Sequence, residues 1–161
     1  SIPAIPFAEA KQLLVQKLGV SGKDMEDLQP QEEKALCKWA ETEYNCPLLF
    51  VTRYPSAKRP FYTKEDMQHP GETQSFDLLF RGMEVTTGGL RIHNYQEQAC
   101  KMRQRGMAVA AFESYLQAHR YGLPPHGGFG IGLERLTARL LKLENVREAA
   151  LFPRDMRRLE P

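Results

Sequence analysis

The sequence predicts a single α+β domain, with strands gathered in the middle of the chain and helices on either side. Three observations predict it. Apolar residues recur at helical spacing in the first third and again towards the end. Between them the pattern changes to short β-prone runs broken by Pro and Gly. The 161 residues, 42% hydrophobic and 26% charged, suffice for one core, and no linker divides them.

In Phe7–Leu18, Ala10, Leu13, Leu14 and Leu18 form a helical stripe that Gly19 stops. Gln29-Pro30 opens a second helix, with Glu32 and Glu33 in its first turn and Trp39 as a core anchor before Asn45. Leu48–Thr52 reads as a strand ended by Tyr54-Pro55, and the polar stretch Lys64–Glu72 as a mobile loop. Ser75–Met83 and Glu84–His93 read as two more strands joined by an Arg81-Gly82 turn. Asn94, with Glu97 three residues on, caps a helix that Gly106 ends. Phe112, Tyr115, Leu116 and His119 mark the next helix, ending at Gly122. The glycine-rich run Gly127–Gly132 leads into a last helix striped by Leu133, Leu136, Leu140 and Leu141.

Composition excludes several classes. No apolar run approaches the ~20 residues of a membrane span, and no signal peptide is recognisable at Ser1–Pro6. A net charge of +2 does not mark a nucleic-acid binder by itself. Cys37, Cys46 and Cys100 are odd in number and far apart, which argues against zinc and disulfides and for a reducing, cytoplasmic setting.

The hairpin makes a geometric prediction. With Arg81 and Gly82 in the turn, Phe80 pairs with Met83, Leu79 with Glu84 and Asp77 with Thr86, so Asp77 and Glu84 share a face. Carboxylates so placed either share a hard cation, such as Mg²⁺ on a nucleotide, or point to water. A bulge at Gly88-Gly89 would turn Arg91 to the same face, where it suits a small carboxylate; otherwise Arg91 is a surface arginine. His93 reads as structural. Alternating glycines at 128, 130 and 132 clear one strand face for a flat ring or phosphates, and Arg135 follows in the first helical turn. The run is not a dinucleotide fingerprint, because no βαβ unit surrounds it.

Taken in order, Tyr54-Pro55 to Pro60-Phe61-Tyr62, SFDLLFRGMEVTTGGLRIH (75–93), HRYGLPPHGGFGIGLERL (119–136) and NVREAALFPRD (145–155) resemble the class II aminoacyl-tRNA synthetases, specifically aspartyl-tRNA synthetases of archaeal type. The resemblance covers nearly the whole chain, and the third block resembles motif 3. It implies an antiparallel sheet flanked by helices, and an enzyme that activates aspartate with ATP and transfers it to tRNA. It implies that Asp77, Glu84 and Thr87 hold Mg²⁺, that Arg91 and Arg59 bind the substrate carboxylate, and that Arg135 packs on adenine and contacts the γ-phosphate. Gly128, Gly130 and Gly132 would floor the adenine site, with Glu84 also serving ATP.

Departures are Leu90 where Gln is usual, Arg59 where Lys is common and Thr87 where Ser is frequent. The resemblance also implies that the chain is the C-terminal portion of a catalytic domain. Motif 1 at the dimer interface, motif 2 with its phosphate-gripping arginine, and the anticodon-binding domain would lie outside it. A sheet face covered in the whole enzyme would then be exposed and prone to self-association. A non-catalytic paralogue that binds nucleotide, amino acid or a partner, and an asparaginyl-tRNA synthetase or aspartate–ammonia ligase relative, are the alternatives.

Overall fold

A computed structural model of the chain describes residues 1–20, 24–154 and 156. Asp155, the last residue of the fourth motif block, lies outside the described residues. The architecture is a five-stranded sheet in chain order, flanked by helices: β1 (Ala4–Pro6), β2 (Leu48–Thr52), β3 (Ser75–Phe80), β4 (Met83–Arg91) and β5 (His126–Ile131). All neighbours are antiparallel except β1 and β2, so the sheet is mixed rather than wholly antiparallel. The short β1 has no alternation to reveal it. It forms by parallel pairing with β2 at the sheet edge, where Pro6 can be tolerated.

Helices α1 (Phe7–Gln16) and α2 (Pro30–Tyr44) pack on one face of β2 and β3. Leu14, Leu36, Ala40, Leu49 and Leu79 are fully or almost fully buried between these layers. The start of α2 is built as its sequence suggests. Gln29 is the N-cap, its N–H donates to Glu32 Oε2 at 2.7 Å, and Pro30 follows. The same Glu32 carboxylate accepts from Lys11 Nζ at 2.8 Å, an ion pair that joins α1 to α2 inside the core.

The β3–β4 turn has positive φ at both Arg81 (46°) and Gly82 (81°), the twist that matches a tight hairpin. Helices α3 (Tyr95–Gln104) and α4 (Glu113–Arg120) pack beyond the end of β4, and α5 (Leu133–Leu141) follows β5. The Asn94 side chain accepts from Glu97 N, capping α3 as expected.

Two expectations need correction. The segment 64–72 is no free loop. Lys64 N donates to Leu90 O, Gln74 N to Lys64 O and Asp66 N to Glu72 O, while Lys101 Nζ reaches Thr63 O at 2.7 Å and Glu65 at 3.1 Å. The stripe on α5 is helical as expected; its Leu133, Leu140 and Leu141 are exposed, as are Phe129 and Ile131 on the sheet face away from α1 and α2. The second correction is the hairpin register. The pairs Phe80–Met83 and Leu79–Glu84 form, but Asp77 then pairs with Thr87 instead of Thr86, because a bulge at Val85 adds a residue to β4. The bulge therefore sits near the turn and not at Gly88-Gly89.

Candidate active site

The bulge decides which side chains meet. Cross-strand partners share a face, so Val51, Asp77, Thr87 and Gly130 form one row across the sheet. The row on the turn side is Leu49, Leu79 and Glu84; on the other side come Ser75, Gly89 and Gly128, then Arg91 with His126. Without the added residue, Thr86, Gly88 and Leu90 would take this face and Arg91 would leave it. Glu33 on α2 holds the distortion, because its Oε2 accepts the Glu84 N–H at 3.0 Å. Sequence reasoning placed Glu33 only in a helical turn and missed this contact, which has no local signal.

Three glycines on this face leave the floor of the site as bare backbone. A cavity of about 390 Å³ lies above them, walled by Arg59, Tyr62, Thr87 and Arg91 and floored by Gly128 and Gly130. A Cβ at Gly130 would meet nothing within 4 Å, whereas one at Gly128 would stand 3.3 Å from Arg91 Nη2. Gly88, on the opposite face, is required for close packing: a Cβ there would come within 2.6 Å of Phe129 Cβ and 2.7 Å of Phe76 Cζ.

Among the described residues Arg91 has no ion-pair partner; its guanidinium lies over the Tyr62 ring, 4.7 Å from the centroid. Tyr62 is held there by its carbonyl, which accepts from Ile92 N, and by its neighbour Phe61, which packs against Phe112 and Tyr115. His119 helps to dock α4, one ring nitrogen lying 3.2 Å from Ile92 O. At the other end, Arg135 on α5 lies 3.5 Å from Glu84 Oε1 and donates to Glu84 O at 3.2 Å, its stem covering Gly132. Arg81 Nη1 donates to Arg139 O at 3.0 Å, fixing α5 against the hairpin turn.

The electrostatics are those of negative charge short of partners. Asp77 is 4% exposed and its Oδ1 has no hydrogen-bond partner. Burial, and then the charge of Asp77, hold the Glu84 carboxyl above its ordinary value, while Arg135 and Arg59 pull it down. Burial likewise raises Glu33. Arg59 meets this charge: Nη2 donates to Asp77 Oδ2 at 2.7 Å and Nη1 to Thr87 Oγ1 at 3.1 Å, with the guanidinium 3.7 Å from the Tyr54 ring centroid. Tyr54, too, was not singled out as a site residue from the sequence.

The predicted site residues thus come together. Arg59 bridges Asp77 and Thr87 directly, Glu84 shares their sheet face and is paired with Arg135, and Arg91 lines one cavity with Arg59 and Thr87. His93 lies outside this group, its Nδ1 buried without a hydrogen-bond partner. No group of three or more His, Cys, Asp or Glu side chains among the described residues forms a metal cage. A cation here would draw on two carboxylates and a hydroxyl, leaving its remaining ligands to phosphate and water. The donor set is of the hard-oxygen kind that suits such an ion, and the Asp77 carboxylate, with one oxygen unpartnered and the other held only by Arg59, is short of partners of its own.

Comparison with known proteins gives a consistent result. Residues 1–156 match the family model described as tRNA synthetases class II (D, K and N). The chain is 49% identical over 160 residues to the aspartate–tRNA(Asp/Asn) ligase of Thermus thermophilus, covering 99% of this chain and 37% of that one. Its fold superposes on an aspartyl-tRNA synthetase from Entamoeba histolytica with a TM-score of 0.92 at 34% identity, covering 99% of this chain and 33% of that one. It also superposes on an asparaginyl-tRNA synthetase from Pyrococcus horikoshii complexed with asparaginyl-adenylate (TM-score 0.89, 37% identity, 100% and 36% covered). The chain therefore spans about a third of the length of these relatives.

Proposed function

The chain belongs to the class II tRNA synthetases (D, K and N), and from that premise we propose that it is the part of an aspartate–tRNA ligase that carries the amino-acid pocket and much of the ATP site. The observation that carries this reading is an unpaired guanidinium, Arg91, facing a glycine-floored cavity on the same sheet face as the Asp77–Glu84 pair. In the reaction a carboxylate oxygen of aspartate attacks the α-phosphorus of ATP and pyrophosphate leaves. The aspartyl group of the adenylate then passes to a hydroxyl at the tRNA 3′ end and AMP is released.

The roles follow from charge and shape. Arg91 takes the side-chain carboxylate of aspartate in a bidentate grip, with its plane set by Tyr62. Gly128, Gly130 and Gly132 let adenine lie against backbone, and Arg135 covers the base and reaches the γ-phosphate. Asp77, Glu84 and Thr87 would hold Mg²⁺, which neutralises triphosphate charge when bound. No side chain need act as acid or base, because a site of this kind works by alignment and charge compensation.

Aspartate is favoured over asparagine because a neutral amide would leave the Arg91 guanidinium without a charge partner, although a solved neighbour is an asparaginyl enzyme. Motif 1, motif 2, the anticodon-reading domain and the dimer interface belong to the remainder of the enzyme. The 161-residue chain by itself therefore supports little adenylation. Three free cysteines suit a cytoplasmic setting, and no described helix is long and apolar enough to cross a membrane.

The test is ATP–pyrophosphate exchange by the intact protein with aspartate or asparagine as the amino acid. Exchange that depends on aspartate supports the reading. Exchange with asparagine alone points to the asparaginyl enzyme, and none with either points to a non-catalytic paralogue.

A further inference from the structure

Arg59 stands in an unexpected place. As a substrate-binding residue it should offer its charge to the cavity, yet both of its terminal nitrogens are engaged by proposed cation ligands, Asp77 Oδ2 at 2.7 Å and Thr87 Oγ1 at 3.1 Å. The arrangement is tight. The Arg59 side chain is 14% exposed, its plane lies over Tyr54 at 3.7 Å, and its Nε is buried without a partner. The residue is carried by the irregular stretch between Pro55 and Pro60, so it can leave without moving a helix or strand.

A guanidinium and a hard divalent cation seek the same oxygens. Mg²⁺ takes oxygen ligands at about 2.0–2.1 Å. An ion bound to Asp77 Oδ2 and the Thr87 hydroxyl would therefore overlap the space now held by the two Arg59 nitrogens. Asp77 Oδ1 is buried, so an ion that takes Oδ2 and the Thr87 hydroxyl competes with the guanidinium for them. We propose that Arg59 is an internal stand-in for the metal: it neutralises Asp77 in the ligand-free protein and is displaced from Asp77 and Thr87 when the divalent cation binds. This inference rests on the proposed metal role of Asp77, Glu84 and Thr87. Its consequence is that cation loading frees a guanidinium, one residue before Pro60 at the cavity wall, for the carboxylate of the amino acid. Metal and amino-acid binding are then coupled through one side chain.

The exchange is tested in the intact protein without nucleotide, with two readouts besides activity. The first is Mn²⁺ affinity, from the electron-paramagnetic resonance signal of the free aquo ion. Arg59→Met, which keeps an apolar stem over Tyr54, should bind Mn²⁺ at least tenfold more tightly than the wild type. Arg59→Lys, with one ammonium in place of a fork, should lie between them. Asp77→Asn should abolish the binding in each background. The second readout is the Arg59 Nε–H resonance, shielded by the Tyr54 ring in the free protein, which should shift and lose its protection from solvent exchange on Mg²⁺ saturation. Persistence of that resonance at saturating Mg²⁺, or Mn²⁺ affinity that is Asp77-dependent but unchanged in Arg59→Met, overturns the exchange and leaves the metal site standing. Absence of any Asp77-dependent Mn²⁺ binding, even in Arg59→Met, overturns the metal site and the exchange with it.

Discussion

Replacing Gly130 with alanine separates the floor of the site from the stability of the fold. The added Cβ would touch nothing within 4 Å, and Gly130 is not at positive φ. The folded state therefore accepts the methyl without strain. Because glycine inside a strand is about 0.5–1 kcal/mol less favourable than alanine, the variant should be as stable as the wild type or slightly more so. The methyl projects from the row of Asp77 and Thr87 into the space proposed for adenine. Forcing a methyl into a packed contact costs about 1–3 kcal/mol, or roughly 5- to 150-fold in affinity at about 1.4 kcal/mol per decade. The KM for ATP in aspartate-dependent pyrophosphate exchange should rise by that factor, with the urea midpoint unchanged or higher. Gly128→Ala is a less clean probe, because its Cβ would press on Arg91 at 3.3 Å and disturb the amino-acid site as well. An unchanged ATP KM in a fully stable Gly130→Ala protein would refute the assignment of this strand as the nucleotide floor.

Two further outcomes concern the frame around the site. Gly88→Ala should cost about 3 kcal/mol of stability, the upper end of overpacking penalties, because its Cβ would lie 2.6 Å from Phe129 Cβ and 2.8 Å from Gly128 O; a urea midpoint equal to that of the wild type would contradict the packing. Glu33 has its carboxyl raised above its ordinary value of 4.5, chiefly by burial, so its contribution to stability is full below that pH and is lost as pH rises through the folded value. Glu33→Gln keeps an acceptor for the Glu84 N–H but cannot ionise, so its stability should fall less than that of the wild type between pH 4 and pH 7; parallel pH profiles would count against this account.

The parts of the fold legible in the sequence are those with local causes. Gln29-Pro30 with Glu32, Asn94 with Glu97, and Arg81-Gly82 each specify a cap or turn through residues a few positions apart, and each forms. Long-range causes were hidden. The Val85 bulge is written nowhere in Met83–Thr87, whose residues would all sit well in a regular strand; the distant Glu33 carboxylate holds it. The glycine pair suggested a bulge in the right strand at the wrong place, because close approach to Phe76, Phe129 and Ser75 requires glycine just as a bulge can. Asp77 and Glu84 were placed on one face by the hairpin alone. That Thr87 joins them depends on the bulge, and that Arg59 closes on Asp77 depends on an irregular segment with no periodicity to read. The stripe on α5 announced a helix but not the exposure of its leucines, which is a matter of what surrounds it.

The central claim is that Arg91 and the Asp77–Glu84 pair serve one pocket with separate tasks, the first for the amino acid and the second for the nucleotide. Steady-state pyrophosphate exchange by Arg91→Leu in the intact enzyme tests it most directly. A charge-assisted contact contributes about 1.5–3 kcal/mol, so the KM for aspartate should rise by roughly 10- to 150-fold while the KM for ATP stays within a factor of about two. An unaltered aspartate KM, or a loss that falls on ATP instead, would contradict it.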